Sequence, residues 1–195
     1  MERKDIDIKD TWDLSTIYND HKSFYHDLEK AKTLIDELVS YQGKICNTID
    51  SFYNFLTTKD QVERLVNKLY CYAHLNCDVE PNNQEYQTMM AATIGVLEAS
   101  SVKISFIDNE IIEAKEKVLE YIKDPKLQKY TYKINSLMLF KDHILPKEQE
   151  ELLAKAESIA DTSSQVFNAL RLEYDDVLEN GEMKTLNNAT LNQFL

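Results

Sequence analysis

Apolar residues recur along most of this chain at steps of three and four, the repeat of one face of an α-helix. Phe24, Leu28, Ala31, Ile35 and Leu38 form the first stripe. It predicts a helix from His21 to about Gln42, capped by Asn19 or Asp20 and ended by Gly43. Ile49, Phe52, Tyr53 and Leu56 predict a short helix over about 48–57. Thr58-Lys59-Asp60-Gln61 has the form of a capping box. The helix it opens should run to about Cys77, with Val62, Leu65, Leu69, Tyr72 and Asn76 on one face. Pro81, within Glu80-Pro81-Asn82-Asn83, forbids simple continuation and predicts a turn.

The next helix is expected over about 83–106, with Met90, Ile94, Leu97, Ser101 and Ile104 as its stripe. Ala91, Ala92, Gly95, Ala99 and Ser100 are small enough to let a neighbouring helix approach closely. A long helix joined to its predecessor by a short turn predicts an antiparallel hairpin. A homodimeric coiled coil is the competing arrangement, but it lacks sustained charge pairing beside the stripe. A break is expected at 106–110, with Asp108 as cap, then a helix to about Lys123 carrying Ile111, Ile112, Val118, Leu119 and Ile122. Asp124-Pro125 predicts another start, followed by a helix from Leu127 to about Phe140. Pro146 holds His143-Ile144-Leu145 extended and opens the next helix, with Leu152, Leu153, Ala156 and Ile159 along it. A joint at 161–163 and a short helix over 164–171 complete the helical part.

The period then changes. Leu172, Tyr174 and Val177 alternate with polar residues, and Asn180-Gly181 is a strong two-residue turn signal. A β-hairpin over about 172–186 follows, and Asn188 or Thr190 then caps what reads as the start of a helix. The expected fold is therefore mainly α: an array of antiparallel helical hairpins with one small β-hairpin near the C-terminus. The expected divisions are an N-terminal arm over 1–20, a helical hairpin lobe over 21–107, and a second helical lobe over 108–195. In the arm, Trp12, Leu14 and Ile17 should pin an extended segment onto the helices.

Composition sharpens this picture. The chain has 195 residues, long enough to bury a core without staples, and only 3 Gly and 3 Pro to interrupt helices. The net charge of −12 argues against nucleic acid, where a basic stripe is expected. An acidic surface serves solubility, and attraction of basic peptides is the alternative use. MERKDIDIKD has no apolar core of a signal peptide, and no run approaches eighteen apolar residues. A cytoplasmic protein with no membrane partner is the expectation.

Candidate chemistry is sparse. His21, His26, His74 and His143 are the only histidines, and none begins an H-E-x-x-H motif. His21 and His26, five residues apart, read as surface histidines. Cys46, Cys71 and Cys77 form no C-x-x-C pair and read as three buried, reduced thiols. Cys71, His74 and Cys77 are partly co-facial on a helix. That spacing admits a soft-metal site, but a Cys-rich buried face with a satisfied histidine is expected. Asp175-Asp176 and Glu150-Glu151 are adjacent pairs whose members point to different sides, unsuited to paired acid–base work. No glycine-rich phosphate loop or nucleophile elbow is present. No catalytic or metal-binding residue is assigned, and the substrate-binding residues are left open.

The chain nonetheless resembles the N-terminal region of oligoendopeptidase F, a branch of the thimet-type zinc oligopeptidases. The likeness rests on ordered features. Trp12-Asp13-Leu14-Ser15 with Ile17-Tyr18 is similar to the family's opening arm. Leu69-Tyr70, Ala73, Asn83 and Tyr86 resemble its long helical hairpin. Ser105-Phe106 and Glu110-Ile111 are similar to its Ser-Phe…Pro-Glu-Leu joint, with Asn109 where Pro is usual. His143-Ile144-Leu145 with Glu148, Glu151, Leu152 and Leu153, then Phe167-Asn168-Ala169-Leu170, are the best match, and Gly181 and Leu186 follow in order.

The resemblance implies a longer chain whose catalytic domain, absent here, holds Zn²⁺ on an H-E-x-x-H helix and a further Glu. It implies a helical wall that forms a channel for short peptides, whose internal bonds the zinc domain cuts. On that reading residues 1–195 bind no zinc and do no chemistry, and their partner is the missing catalytic domain. The alternative is a free-standing helical interaction module.

Overall fold

The computed structural model describes residues 6–169, 177–179 and 182–184. The chain divides into two compact units, Met1–Lys155 and Ala156–Leu195. The first is helical and is built on a three-helix bundle: α1 (His21–Ser40), α2 (Ile49–Val79) and α3 (Gln84–Ile104). Asp20 caps α1 by accepting a hydrogen bond from the Ser23 N–H at 2.6 Å. Asn83 caps α3, accepting from the N–H groups of Glu85 and Tyr86. Cross-helix contacts fix the directions. His21 meets Glu85 near the starts of α1 and α3, and Lys103 meets Asp36 near their ends, so those two helices run parallel. Asp27 faces Lys68 and Glu37 faces Thr58, so α2 runs antiparallel to α1.

The remaining elements of this unit lie against α2. They are α4 (Ile107–Glu113), α5 (Lys115–Tyr121), a 3₁₀ segment (Pro125–Tyr130) and α6 (Thr131–Phe140). Lys126, Tyr130 and Lys133 meet Asp50, Asp60 and Glu63 in the same order, so this stretch climbs alongside the first half of α2. One hydrophobic core receives side chains from every level: Phe24 and Leu38 from α1, Phe52, Phe55 and Leu69 from α2, Met89 from α3, then Val118 and Leu127. Each large side chain fully removed from water contributes about 1.5–3 kcal/mol. Beyond a short 3₁₀ turn and Pro146, α7 spans Lys147–Ala169 and passes from the first unit into the second. The second unit also contains β1 (Val177–Glu179) and β2 (Glu182–Lys184). They pair antiparallel with Val177 opposite Lys184, Leu178 opposite Met183 and Glu179 opposite Glu182. The mainly helical class with one small hairpin is therefore as expected. Leu172, Tyr174, Asp175, Asp176, Asn180, Gly181, Leu186 and the helix start at 188–190 lie outside the described residues.

Several expected details change. No break occurs at Thr58: α2 is one helix of 31 residues, roughly 46 Å long. A capping box needs a non-helical residue at its head, and nothing in 57–60 interrupts the backbone. Thr58 is instead a buried member of the inner face, its hydroxyl 3.3 Å from the Glu37 carboxylate. The buried line of α3 is Met89, Thr93, Val96 and Ser100, one residue away from the expected stripe. Met90, Leu97 and Ile104 flank it half-buried. The stretch 84–113 has the length and composition of a membrane-crossing helix although its apolar residues do not run unbroken. In the fold, α3 is a bundle member, and the chain turns at Ser105-Phe106.

The helix expected up to Lys123 is divided at Ala114, which leaves helical geometry with ψ 19°. Phe106, not Asp108, precedes it, with no side-chain cap. The expected joint at 161–163 is absent, because α7 runs through it. The arm is not extended but forms 3₁₀ turns at Ile8–Asp10 and Leu14–Thr16. Leu14 and Ile17 pack on the core, whereas Trp12 is 77% exposed and pins nothing.

Candidate functional site

The sequence candidates are scattered rather than gathered. His21 is half-buried, its Nδ1 2.5 Å from a Glu85 carboxylate oxygen, with its ring edge-on to Tyr72 and Tyr86. It is a bundle contact, not the free surface histidine expected. His26 is exposed. His74 is also exposed, and its Nδ1 lies 2.9 Å from Asp78 one turn on. His143 sits at the end of a 3₁₀ turn beside Phe140. All three cysteines are free, but only Cys46 is buried. Burial, reinforced by the Glu110 carboxylate, pushes its thiol up to about 12. Cys71 is exposed and Cys77 is intermediate, its Sγ 3.2 Å from the Tyr86 carbonyl. The expected Cys-rich buried face around His74 is therefore not formed, because that side of α2 turns toward solvent. Of the adjacent acids, Glu150 accepts from the Leu145 N–H at 2.8 Å and Glu151 pairs with Lys155 at 2.6 Å.

Among the described residues, no group of three or more His, Cys, Asp or Glu side chains could hold a metal ion. The donor set therefore does not fit zinc, and no step of metal chemistry is derived from it.

Polar contacts that the sequence does not announce do organise two clefts. In the first, of about 490 Å³, the Tyr18 hydroxyl donates to Asp27 at 2.8 Å and the Lys68 ammonium lies 3.7 Å above the Tyr18 ring. Burial and the neighbouring Asp27 raise the Tyr18 pKa, so the phenol stays protonated. In the second, of about 640 Å³, the Glu110 carboxylate takes hydrogen bonds from the N–H groups of Gly43 and Ile45, each at 2.8 Å. Gly43 has φ 75°, the left-handed region in which a side chain is strained. That conformation turns the α1–α2 loop amides toward Glu110. Sequence reasoning gave Glu110 only a helix-dipole role, and its partners 65 and 67 residues away leave no local signal.

A third cluster ties the 3₁₀ segment to α2. Asp60 accepts from the Tyr130 hydroxyl at 2.7 Å and from Lys129 at 3.2 Å, while Glu63 pairs with Lys59 and Lys133. Partial burial alone would raise both acids, but these donors outweigh it and hold both carboxyls below their ordinary values. The clusters are contacts within the helical scaffold, and none pairs a nucleophile with a base.

This is a helical scaffold of defined order, and known proteins share it. Residues 110–173 match the family described as Oligopeptidase F. Oligopeptidase PepF of Bacillus subtilis is 27% identical over 87% of this chain. The crystal structure of oligoendopeptidase-F from Enterococcus faecium superposes with a TM-score of 0.80 at 27% identity, over 89% of this chain. The chain corresponds to the N-terminal region of oligoendopeptidase F. Group B oligopeptidase PepB of Streptococcus agalactiae is 24% identical over 93% of the chain. The chain spans only 26% and 29% of the lengths of these two curated relatives, and 34% of the solved oligoendopeptidase-F chain. The oligoendopeptidase F family is a peptidase family, so the scaffold described above is one portion of a peptidase fold.

Proposed function

We propose that this chain is the non-catalytic helical portion of a cytoplasmic zinc metallo-oligopeptidase that cuts internal bonds of short peptides. Residues 1–195 wall the substrate channel, and residues from 108 onward lead toward a zinc-bearing catalytic domain. The observation that carries this reading is the fold match over 89% of this chain but only 34% of the Enterococcus faecium oligoendopeptidase-F chain. The names of the relatives point to oligopeptide substrates. The 31-residue α2, backed along its length by α1, α3 and the 108–140 stretch, is the stiff element a channel wall requires. Zinc analysis and hydrolysis of a quenched fluorescent peptide test the assignment on the purified 195-residue chain. Neither bound zinc nor turnover is expected. Stoichiometric zinc with turnover would overturn it.

A further inference from the structure

The stretch 131–153 carries more apolar surface than its own unit covers. In α6, Ile134 and Met138 are buried and Leu137 packs on the core. The opposite side of the same ten-residue helix holds Tyr132 and Leu139, seven residues apart and therefore on one face, with Phe140 beside them. These are 85%, 81% and 62% exposed. A helix apolar all round belongs in an interior, yet α6 is covered on one side only. Leu152 and Leu153 of α7 repeat the situation at 66% and 55% exposure. Isolated exposed leucines are ordinary, whereas clustered aromatic and aliphatic side chains mark contact surfaces.

We propose that Tyr132, Leu139 and Phe140 of α6, with Leu152 and Leu153 of α7, seat the catalytic portion of the peptidase. The inference rests on the assignment made under Proposed function and adds the surface to it. Two observations select this occupant. Both apolar faces lie inside residues 110–173, the segment matched to the family. The solved relative has about two thirds of its chain outside the region this chain covers, ample material to bury them. The seat is apolar, so the portion it receives presents an apolar surface rather than a charged one.

The test has two arms. In the isolated 195-residue chain, the double change Leu139→Asp with Phe140→Ser, and separately the milder Tyr132→Ser, are expected to leave far-ultraviolet circular dichroism unchanged. The melting temperature should shift by less than about 2 °C, because neither change touches a packed side chain. In full-length Enterococcus faecium oligoendopeptidase F, the double change at the superposed α6 positions should cut peptide hydrolysis at least about tenfold or lower the melting temperature by roughly 5 °C or more. An enzyme unaffected in both respects overturns the inference. So does unfolding of the isolated chain by both variants, which would make the face part of the core. Light scattering that shows a dimer of the unmodified chain, dissociated by the double change, would assign the face to a second copy instead. Activity of the unmodified 195-residue chain by itself is a separate result and strikes the functional assignment.

Discussion

Helices α2 and α6 have equally apolar sequences and opposite fates. Along α2, Phe52, Phe55, Leu56, Val62, Val66, Leu69 and Ala73 turn inward and the exposed side is polar or charged. Along α6, apolar residues face both ways, and Tyr132, Leu139 and Phe140 stand in solvent. The first pattern is that of a helix whose neighbours are all present in the same unit. The second is that of a helix sandwiched between two bodies, one of which lies elsewhere. Period identifies which residues share a face, but how many faces are apolar identifies how many partners a helix has.

The largest effect that could break this comparison is at the centre of α2. Leu69→Asp puts an unpaired carboxylate among Tyr72, Ala73 and their neighbours at a fully buried position. It should destabilise the chain by about 4 kcal/mol or more, and chemical denaturation should show the cooperative transition weakened or lost. Retention of the wild-type midpoint would mean that α2 is not the inner helix.

An intermediate effect is expected where α2 meets the 3₁₀ segment. Asp60→Asn removes a carboxylate that accepts from Tyr130 and Lys129, a loss of about 1–2 kcal/mol at neutral pH. The sign with pH follows from the direction of the shift. The folded carboxyl is held below its ordinary value of 3.8, so its stabilisation is complete above that value. It disappears as pH falls through the lower folded value. Urea midpoints measured from pH 7 down to acid should converge for wild type and variant. A constant gap at all pH values would remove Asp60 from the linkage.

The smallest effect should come from α7. Leu152→Ser on the isolated chain is expected to change stability by less than about 0.5 kcal/mol, as surface substitutions do. Equilibrium denaturation with a shifted midpoint would show that Leu152 is packed and would narrow the contrast with α2.

These effects rank differently from what the stripes alone suggest, and the reason is physical. Local signals with a single dominant cause were legible: the Asp20 and Asn83 caps, the Pro81 turn and the Asp124-Pro125 start all form. The hairpin at 177–184 likewise forms around its turn signal. Thr58 misled because a capping box has the same composition as a continuous helix with a threonine inside. The α3 face misled because small and β-branched residues crowd it, so two neighbouring stripes are almost equally apolar and only packing against α1 and α2 selects between them. Exposure of Cys71 and His74 depends on the same choice for α2. The contacts of Glu110 and Asp60 join residues far apart in the chain and had no sequence signature. The resemblance to oligoendopeptidase F, by contrast, was readable because it rests on the order of many weak features over the whole length.

The Glu110 contact also bears on how this scaffold is assembled during synthesis. The loop after α1 holds Gly43 at positive φ with its amide, and that of Ile45, aimed at a carboxylate 67 and 65 residues further on. A ribosome delivers α1, α2 and their connecting loop well before it delivers that carboxylate. Until then water must satisfy the two N–H groups, and closing so long a segment carries an entropic penalty that local contacts avoid. The helical hairpin is thus made early and its loop is locked late, when α4 arrives. Pulse-labelled amide exchange would register that order directly, with Gly43 and Ile45 gaining protection only after the bundle helices have gained theirs.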